Sequence, residues 1–236
     1  MMGVTTGNPD RIKQGFSFHW WYPIVAVLAI ALAGLLIFVT LQPVRVLPRM
    51  ELAPGFTLID QNGERVTSED MRGKLTIYNF TYTHCGDGCP QTSTVMQEMQ
   101  NLLPEVDTRG IPVQFVTISF DPERDTPARL SEYAAEVGAD GTTWRLLSGD
   151  PTRLKNAIGG GFSTYYSQNE DGSYTFDPRF VLVDGNGIVR SHYRTATPDL
   201  QMMARHLEVV ATEAANSSGP SKLAYEAAHL FLCYAQ

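Results

Sequence analysis

The sequence predicts an α/β fold built on a mixed central sheet, and three observations lead there. Buried-strand patterns alternate with helical ones along residues 53–215. Further on, two strand patterns flank Asp184-Gly-Asn-Gly187, which reads as a hairpin and brings antiparallel pairing into the sheet. A last amphipathic run after Thr197-Pro198 supplies a closing helix.

The elements follow in chain order. A short tail over 1–19 precedes Trp20–Leu41, which is free of charge and almost wholly apolar. That suits a helix crossing a hydrocarbon core about 30 Å thick, with Trp20, Trp21 and Tyr22 at the interface. A cleaved signal peptide competes, with Ala31-Leu-Ala33 as its cleavage site, but the apolar run continues well beyond it. The expectation is an uncleaved transmembrane anchor followed by a linker over 42–52. Arg11 and Lys13 on one side are balanced by Arg45 and Arg49 on the other, so the charge count is close to a tie for orientation.

Ala53–Gly63 reads as a strand and a tight turn, because Asn62-Gly63 favours positive φ. Leu75–Tyr82 is apolar, aromatic and β-branched, a buried strand. After Pro90 the residues Val95, Met99, Leu102 and Leu103 fall at helical spacing, and Pro104 ends the run. Proline suits the first helical position, which makes Cys89 the expected N-cap. Gln114–Ser119 is another buried strand. Pro127–Val137 is a helix with Leu130, Tyr133, Ala134 and Val137 on one face and Gly138 as its stop. Gly159-Gly-Gly161 lacks the Lys and Ser/Thr of a phosphate loop and reads as a flexible turn. Phe180–Val183 and Ile188–Tyr193 form the hairpin, and Leu200, Met203, Leu207 and Val210 mark the last helix of the domain. A tail over 216–236 carries a short helical pattern from Ala224.

Composition narrows the function classes. A formal charge of −7 without a dense basic cluster gives no support for a nucleic-acid surface. Three cysteines in 236 residues exclude a disulfide-stapled scaffold.

Two of those cysteines stand out. Thr83-His-Cys85-Gly-Asp-Gly-Cys89-Pro90 places a pair of thiols between a strand and a helix start, where α/β folds hold their chemistry. Partial positive charge at a helix N-terminus favours thiolate, and the glycines allow a tight path. The spacing fits either a reversible disulfide or a two-sulfur clamp for a soft metal, and the residues leave both open.

Thr83-His-Cys85-Gly-Asp-Gly-Cys89-Pro90, together with Ser119-Phe-Asp121-Pro-Glu-Arg-Asp125-Thr-Pro127 and Leu130-Ser-Glu-Tyr133-Ala, resembles the signature of the Sco/SenC family over Ala53–Val210. The resemblance implies a membrane-anchored protein with a thioredoxin-like fold and its domain on the extracytoplasmic side. It also implies copper, as Cu(I) or Cu(II), held by Cys85 and Cys89. The implied partner is the copper-centre subunit of cytochrome c oxidase or another copper protein, served by copper donation, by reduction of its cysteines, or both.

One position departs from the family. Its copper-ligating histidine falls at Phe176, and a phenyl ring cannot coordinate copper. Pro178 stands where thioredoxin-like reductases carry a cis-proline. Candidates for a third ligand are His229 and Cys233, which share a helical face at i, i+4, and His192, expected on the surface of the second hairpin strand. His84 adjoins Cys85, and His206 is expected to be exposed on the last helix of the domain. Asp121 and Asp125 are expected to position the turn that follows them. Tyr82, three residues before Cys85, stands where a peroxide-reducing redoxin has threonine, which argues against that activity. Three readings follow: a copper-binding assembly factor, a thiol–disulfide oxidoreductase with Cys85 and Cys89 as its redox pair, or a tethered scaffold with a vestigial site.

Overall fold

The structure, a computed structural model, describes residues 21–41, 45–86, 89–218 and 221–231. It divides into two compact units, Met1–Pro43 and Val44–Gln236. The first contains helix α1, Trp21–Leu41, with no acidic residue in its first turn and no basic residue in its last. Among the described residues no helix is long and apolar enough to cross a membrane. The side chains of α1 are described only as far as Ile37, and Trp20 lies outside the described residues, so the expected span over 20–41 rests on its sequence.

The second unit carries the chemistry. Its strands are β1 Glu51–Leu52, β2 Thr57–Asp60, β3 Arg65–Thr67, β4 Leu75–Thr81, β5 Val113–Ser119, β6 Trp144–Ser148, β7 Tyr166–Gln168, β8 Tyr174–Phe176, β9 Phe180–Val183 and β10 Ile188–Tyr193. Eight of them form one sheet in the order β1-β10-β9-β4-β5-β6-β2-β3, while β7 and β8 make a separate hairpin. Within the large sheet β4–β5 and β5–β6 are parallel and the other pairs antiparallel. The expected mixed sheet is therefore present. Helices α2 Thr92–Leu102, α3 Pro127–Val137, α4 Pro151–Leu154, α5 Leu200–Ala215 and α6 Ser221–Phe231 complete the unit.

β4 is the central strand and is buried at every position, as expected for a strand paired and covered on both faces. Leu75 and Ile77 join Val95, Met96 and Met99 of α2, Leu130 of α3 and Leu207 of α5 in one apolar layer. Tyr78 and Phe80 belong to the other, with Phe56, Leu58, Ile158, Phe162 and Phe176. Alternation along the strand thus divides the core in two. A polar thread crosses the first layer: Trp144 Nε1 donates to Thr117 Oγ1 at 2.8 Å, Thr117 Oγ1 to Asn79 Oδ1, and Asn79 Nδ2 to Thr92 Oγ1 at 3.2 Å. It fixes the first residue of α2 to the sheet.

Several expectations need correction. α2 begins at Thr92 with Gln91 as its N-cap, so neither Cys89 nor Pro90 belongs to the helix. The Thr92 amide donates to Pro90 O at 2.9 Å, a local turn that competes with an earlier start. Gly159–Gly161 is no loose turn but the end of a π-helix, Lys155–Gly161. A Cβ on Gly161 would lie 2.2 Å from Pro54 Cβ, so the glycine is there for close approach. His206 is buried, 2 % exposed, because its ring pairs with Tyr193 Oη at 2.7 Å. The His192 side chain is only 7 % exposed and pairs with Glu51 on β1 at 3.4 Å. Its place in the second hairpin strand suggested a surface residue, but β1 pairs alongside that strand and Glu51 covers the ring.

Within the segment expected as a linker over 42–52, Val46 and Leu47 are buried and Leu47 joins the core. Arg190 holds them: its guanidinium donates to Leu47 O at 2.7 Å and Pro48 O at 3.1 Å, and pairs with Asp184 and Glu213. Burial opposes ionisation of Glu213, but hydrogen bonds from Arg190, His229 and Arg49 outweigh it and hold the carboxyl below its usual range. Within the tail expected over 216–236, α6 packs Ala228 into the unit.

Candidate functional site

The site begins where β4 ends. Just beyond the strand, Thr83 is clamped by Asp125: its amide donates to Asp125 Oδ2 at 2.9 Å and its hydroxyl to Asp125 Oδ1 at 2.6 Å. Ser119 Oγ also donates to Asp125, which is 1 % exposed. Arg129 Nε reaches Thr83 Oγ1 at 3.1 Å. The Asp-Pro-Glu-Arg-Asp segment after β5 therefore positions the chain that leads into the cysteines, as well as its own turn.

Cys85 and Cys89 are joined in a disulfide, with their Cα atoms 5.5 Å apart. A turn from Cys89 N to Gly86 O at 3.0 Å closes the loop. Both half-buried cysteines pack against the second apolar layer. Beside them lies an aromatic floor. The Tyr82 ring lies 5.5 Å from Phe120, 5.1 Å from Tyr174 and 6.2 Å from Phe176, centroid to centroid. Phe176 is 8 % exposed and sits in β8 opposite Tyr166 of β7. The hairpin thus brings to this floor the position where histidine is expected from the family pattern, and the residue there is apolar. Burial, aided by the Asp121 carboxylate, pushes the Tyr174 phenol up to about 12.

Sequence reasoning weighed Tyr82 only against a peroxidase pattern and missed its contact with the cysteines. Its Oη lies 3.7 Å from Cys89 Sγ and accepts the Tyr174 amide at 3.3 Å. The sequence signal was available, a hydroxyl-bearing aromatic at the end of the buried run, but strand burial accounted for it equally well.

The other candidates are elsewhere. His229 hydrogen-bonds Glu213 Oε1 at 2.8 Å, in the cluster with Arg190 and Asp184. Asp184 follows β9, whose Val183 pairs with Thr76 at the start of β4, whereas the cysteines follow its end. The seven residues of β4 at ~3.3 Å each separate them by roughly 20 Å, so His229 is not brought to the sulfurs. His192 opposes Val181 on β9, two strands out from β4. Burial first, and then the Arg179 charge, lowers its pKa, favouring neutral imidazole. Cys233 lies outside the described residues. The peptide bond before Pro178 is trans, unlike the reductase pattern.

A second convergence of ligand-type groups comprises His84, Asp121 and Asp125, whose ligand atoms lie within 4.8 Å of one another. Asp125 is already hydrogen-bonded to Thr83 and Ser119, and Asp121 is ion-paired with Arg124. His84 Nδ1 turns toward Thr83 Oγ1 at 3.1 Å. These groups hold the loop in place.

Comparison with known proteins agrees with the motifs. The SCO1/SenC family model matches residues 46–212. An SCO2-like protein of Rickettsia conorii is 31% identical over 160 residues, covering 65% of this chain and 75% of that protein. The thioredoxin-like α/β architecture is shared with solved structures. Arabidopsis thaliana ScoI, solved with copper bound, is 28% identical with a TM-score of 0.59, covering 69% of this chain and 99% of that one. Bradyrhizobium japonicum ScoI, also with copper bound, is 31% identical with a TM-score of 0.54, covering 67% and 99%. The match spans most of the second unit, including the cysteine loop and the aspartate segment that clamps it, and on that ground the chain belongs to the SCO1/SenC family.

Proposed function

We propose that this protein binds copper through Cys85 and Cys89 and serves the assembly of a copper centre, that of cytochrome c oxidase, from a membrane-anchored position. The observation that carries the reading is the convergence of two sulfurs at the end of the central strand, on a loop clamped by the Thr83–Asp125 pair. Paired thiolates are soft donors that suit Cu(I), so the donor set fits the metal found in the solved relatives. Copper here is cargo, taken up by the reduced pair and passed on. Anchoring rests on the uncharged apolar run over 20–41, with the sulfur-bearing unit on the extracytoplasmic side.

The test is Cu(I) competition against a chelator of modest affinity, with the reduced protein and its Cys85→Ser and Cys89→Ser variants. One copper retained per chain, and lost in either variant, is the expected result. Failure of the reduced wild type to retain Cu(I) would overturn the reading.

A second reading has its own support in the Cys85–Cys89 disulfide and the apolar Phe176. In it the reduced pair acts on a partner disulfide. One thiolate attacks to form a mixed disulfide and expels a partner thiolate; the other then closes the Cys85–Cys89 bond and releases the second. Two electrons pass to the partner, and an external dithiol restores the pair. Covalent trapping of a partner by a single-cysteine variant favours this reading.

A further inference from the structure

We propose that Tyr82 supplies the third donor to Cu(II) at the Cys85–Cys89 site, by its phenolate oxygen. This rests on the copper reading above and concerns which residue completes the site. Three observations converge on Tyr82. Its Oη lies 3.7 Å from Cys89 Sγ. The separation is that of the disulfide form; with bonds like those of zinc, about 2.3 Å to sulfur and 2.1 Å to oxygen, two ligand atoms that far apart subtend roughly 115° at a metal, an ordinary ligand angle.

The oxygen is also held in place. Phe120, Tyr174 and Phe176 surround the ring, and the Tyr174 amide hydrogen-bonds the hydroxyl oxygen. An accepted N–H fixes the oxygen while leaving a lone pair, since a tyrosine oxygen both donates and accepts. Finally, His229 pairs with Glu213 and His192 with Glu51, away from the sulfurs, while His84 turns its Nδ1 toward Thr83. Phe176 offers no donor, so the hydroxyl beside Cys89 comes from β4's continuation instead of the hairpin.

The chemistry is selective for oxidation state. Cu(I) is soft and is served by the two thiolates, whereas Cu(II) takes a harder oxygen donor more readily. On Cu(II) binding the phenol O–H gives its proton to solvent and a copper–oxygen bond forms, with no electron transferred.

The experiment loads the reduced protein with Cu(II) and records its visible absorption and resonance Raman spectra. Wild type, Tyr82→Phe and Tyr165→Phe are compared, Tyr165 being an exposed tyrosine. The expected result is a phenolate-to-copper band in wild type and Tyr165→Phe, absent in Tyr82→Phe, with Cu(II) affinity at least about tenfold weaker there. Ring-deuterated tyrosine in wild type shifts the Raman modes of a coordinated phenolate, which supplies evidence even if Tyr82→Phe folds poorly. A sulfur-only Cu(II) spectrum that neither isotope nor Tyr82→Phe alters would overturn the assignment. Absence of any copper binding would instead overturn the copper reading itself.

Discussion

Thr83 and Asp125 lie 42 residues apart in sequence yet are joined by two hydrogen bonds, from the Thr83 amide at 2.9 Å and its hydroxyl at 2.6 Å. This contact ties the end of β4 to the loop after β5, and so sets where the cysteine loop begins.

Removing the clamp has a measurable cost. Asp125→Ala leaves the Thr83 amide, the Thr83 hydroxyl and the Ser119 hydroxyl without this acceptor. Unsatisfied buried groups of this kind cost about 1–3 kcal/mol each before relaxation, and a net loss of about 3 kcal/mol is expected from denaturant unfolding. Cu(I) retention should fall at the same time. An unchanged denaturation midpoint would show that the contact is dispensable.

Phe176→His restores the histidine of the family pattern at a position that touches Tyr82 and Phe120. The imidazole enters an apolar floor, so the apoprotein should lose about 1–3 kcal/mol. Cu(II) affinity should rise, with nitrogen hyperfine structure appearing in the EPR spectrum. No nitrogen signal would place residue 176 beyond reach of the metal.

Arg190 bridges Asp184 and Glu213 at 2 % side-chain exposure. Arg190→Met removes the buried cation shared by Asp184 and Glu213, although each keeps other hydrogen-bond donors, and frees the Leu47 and Pro48 carbonyls, a change expected to cost about 3–5 kcal/mol. Thermal unfolding of the variant at neutral pH tests it, and a shift of a degree or less would contradict the buried-network account.

Acid should weaken the fold in two stages. Burial, followed by the Arg205 charge, lowers the His206 pKa in the folded state. Its contribution is complete above the unfolded value of about 6.5 and is lost as pH falls through the folded value. Glu213 is also depressed, so its contribution is complete above about 4.5 and is lost at lower pH still. Unfolding midpoints measured from pH 8 to pH 3 should therefore decline twice, with His206→Gln reducing the first decline, to which the similarly lowered His192 also contributes, and Glu213→Gln flattening the second.

Much of the scaffold was legible because local signals agreed with tertiary demand. The helix over Pro127–Val137 appears with those bounds, capped by the Thr126 side chain and stopped by Gly138 at φ 74°. The hairpin strands at 180–183 and 188–193 do the same. β6 escaped notice because Trp144-Arg-Leu-Leu-Ser shows no clean alternation, its burial being imposed by β5 and β2 on either side. At the site, the cysteine pair and the aspartate segment could be read from their motifs. The setting of Tyr82 could not, because its ring packs on Phe120, Tyr174 and Phe176, and the Tyr174 amide that its hydroxyl accepts lies 92 residues further along the chain.

The thread from Trp144 through Thr117 and Asn79 to Thr92 has a consequence for how the sulfurs change state. Thr92 is pinned to the sheet on one side of the cysteines, and Thr83 is pinned by Asp125 on the other. On the proposed function, opening the disulfide or exchanging it for a bound ion is thereby directed to the short span between two fixed posts. In that same reading, electron or metal transfer then asks little rearrangement of the sheet and helix that carry the two posts.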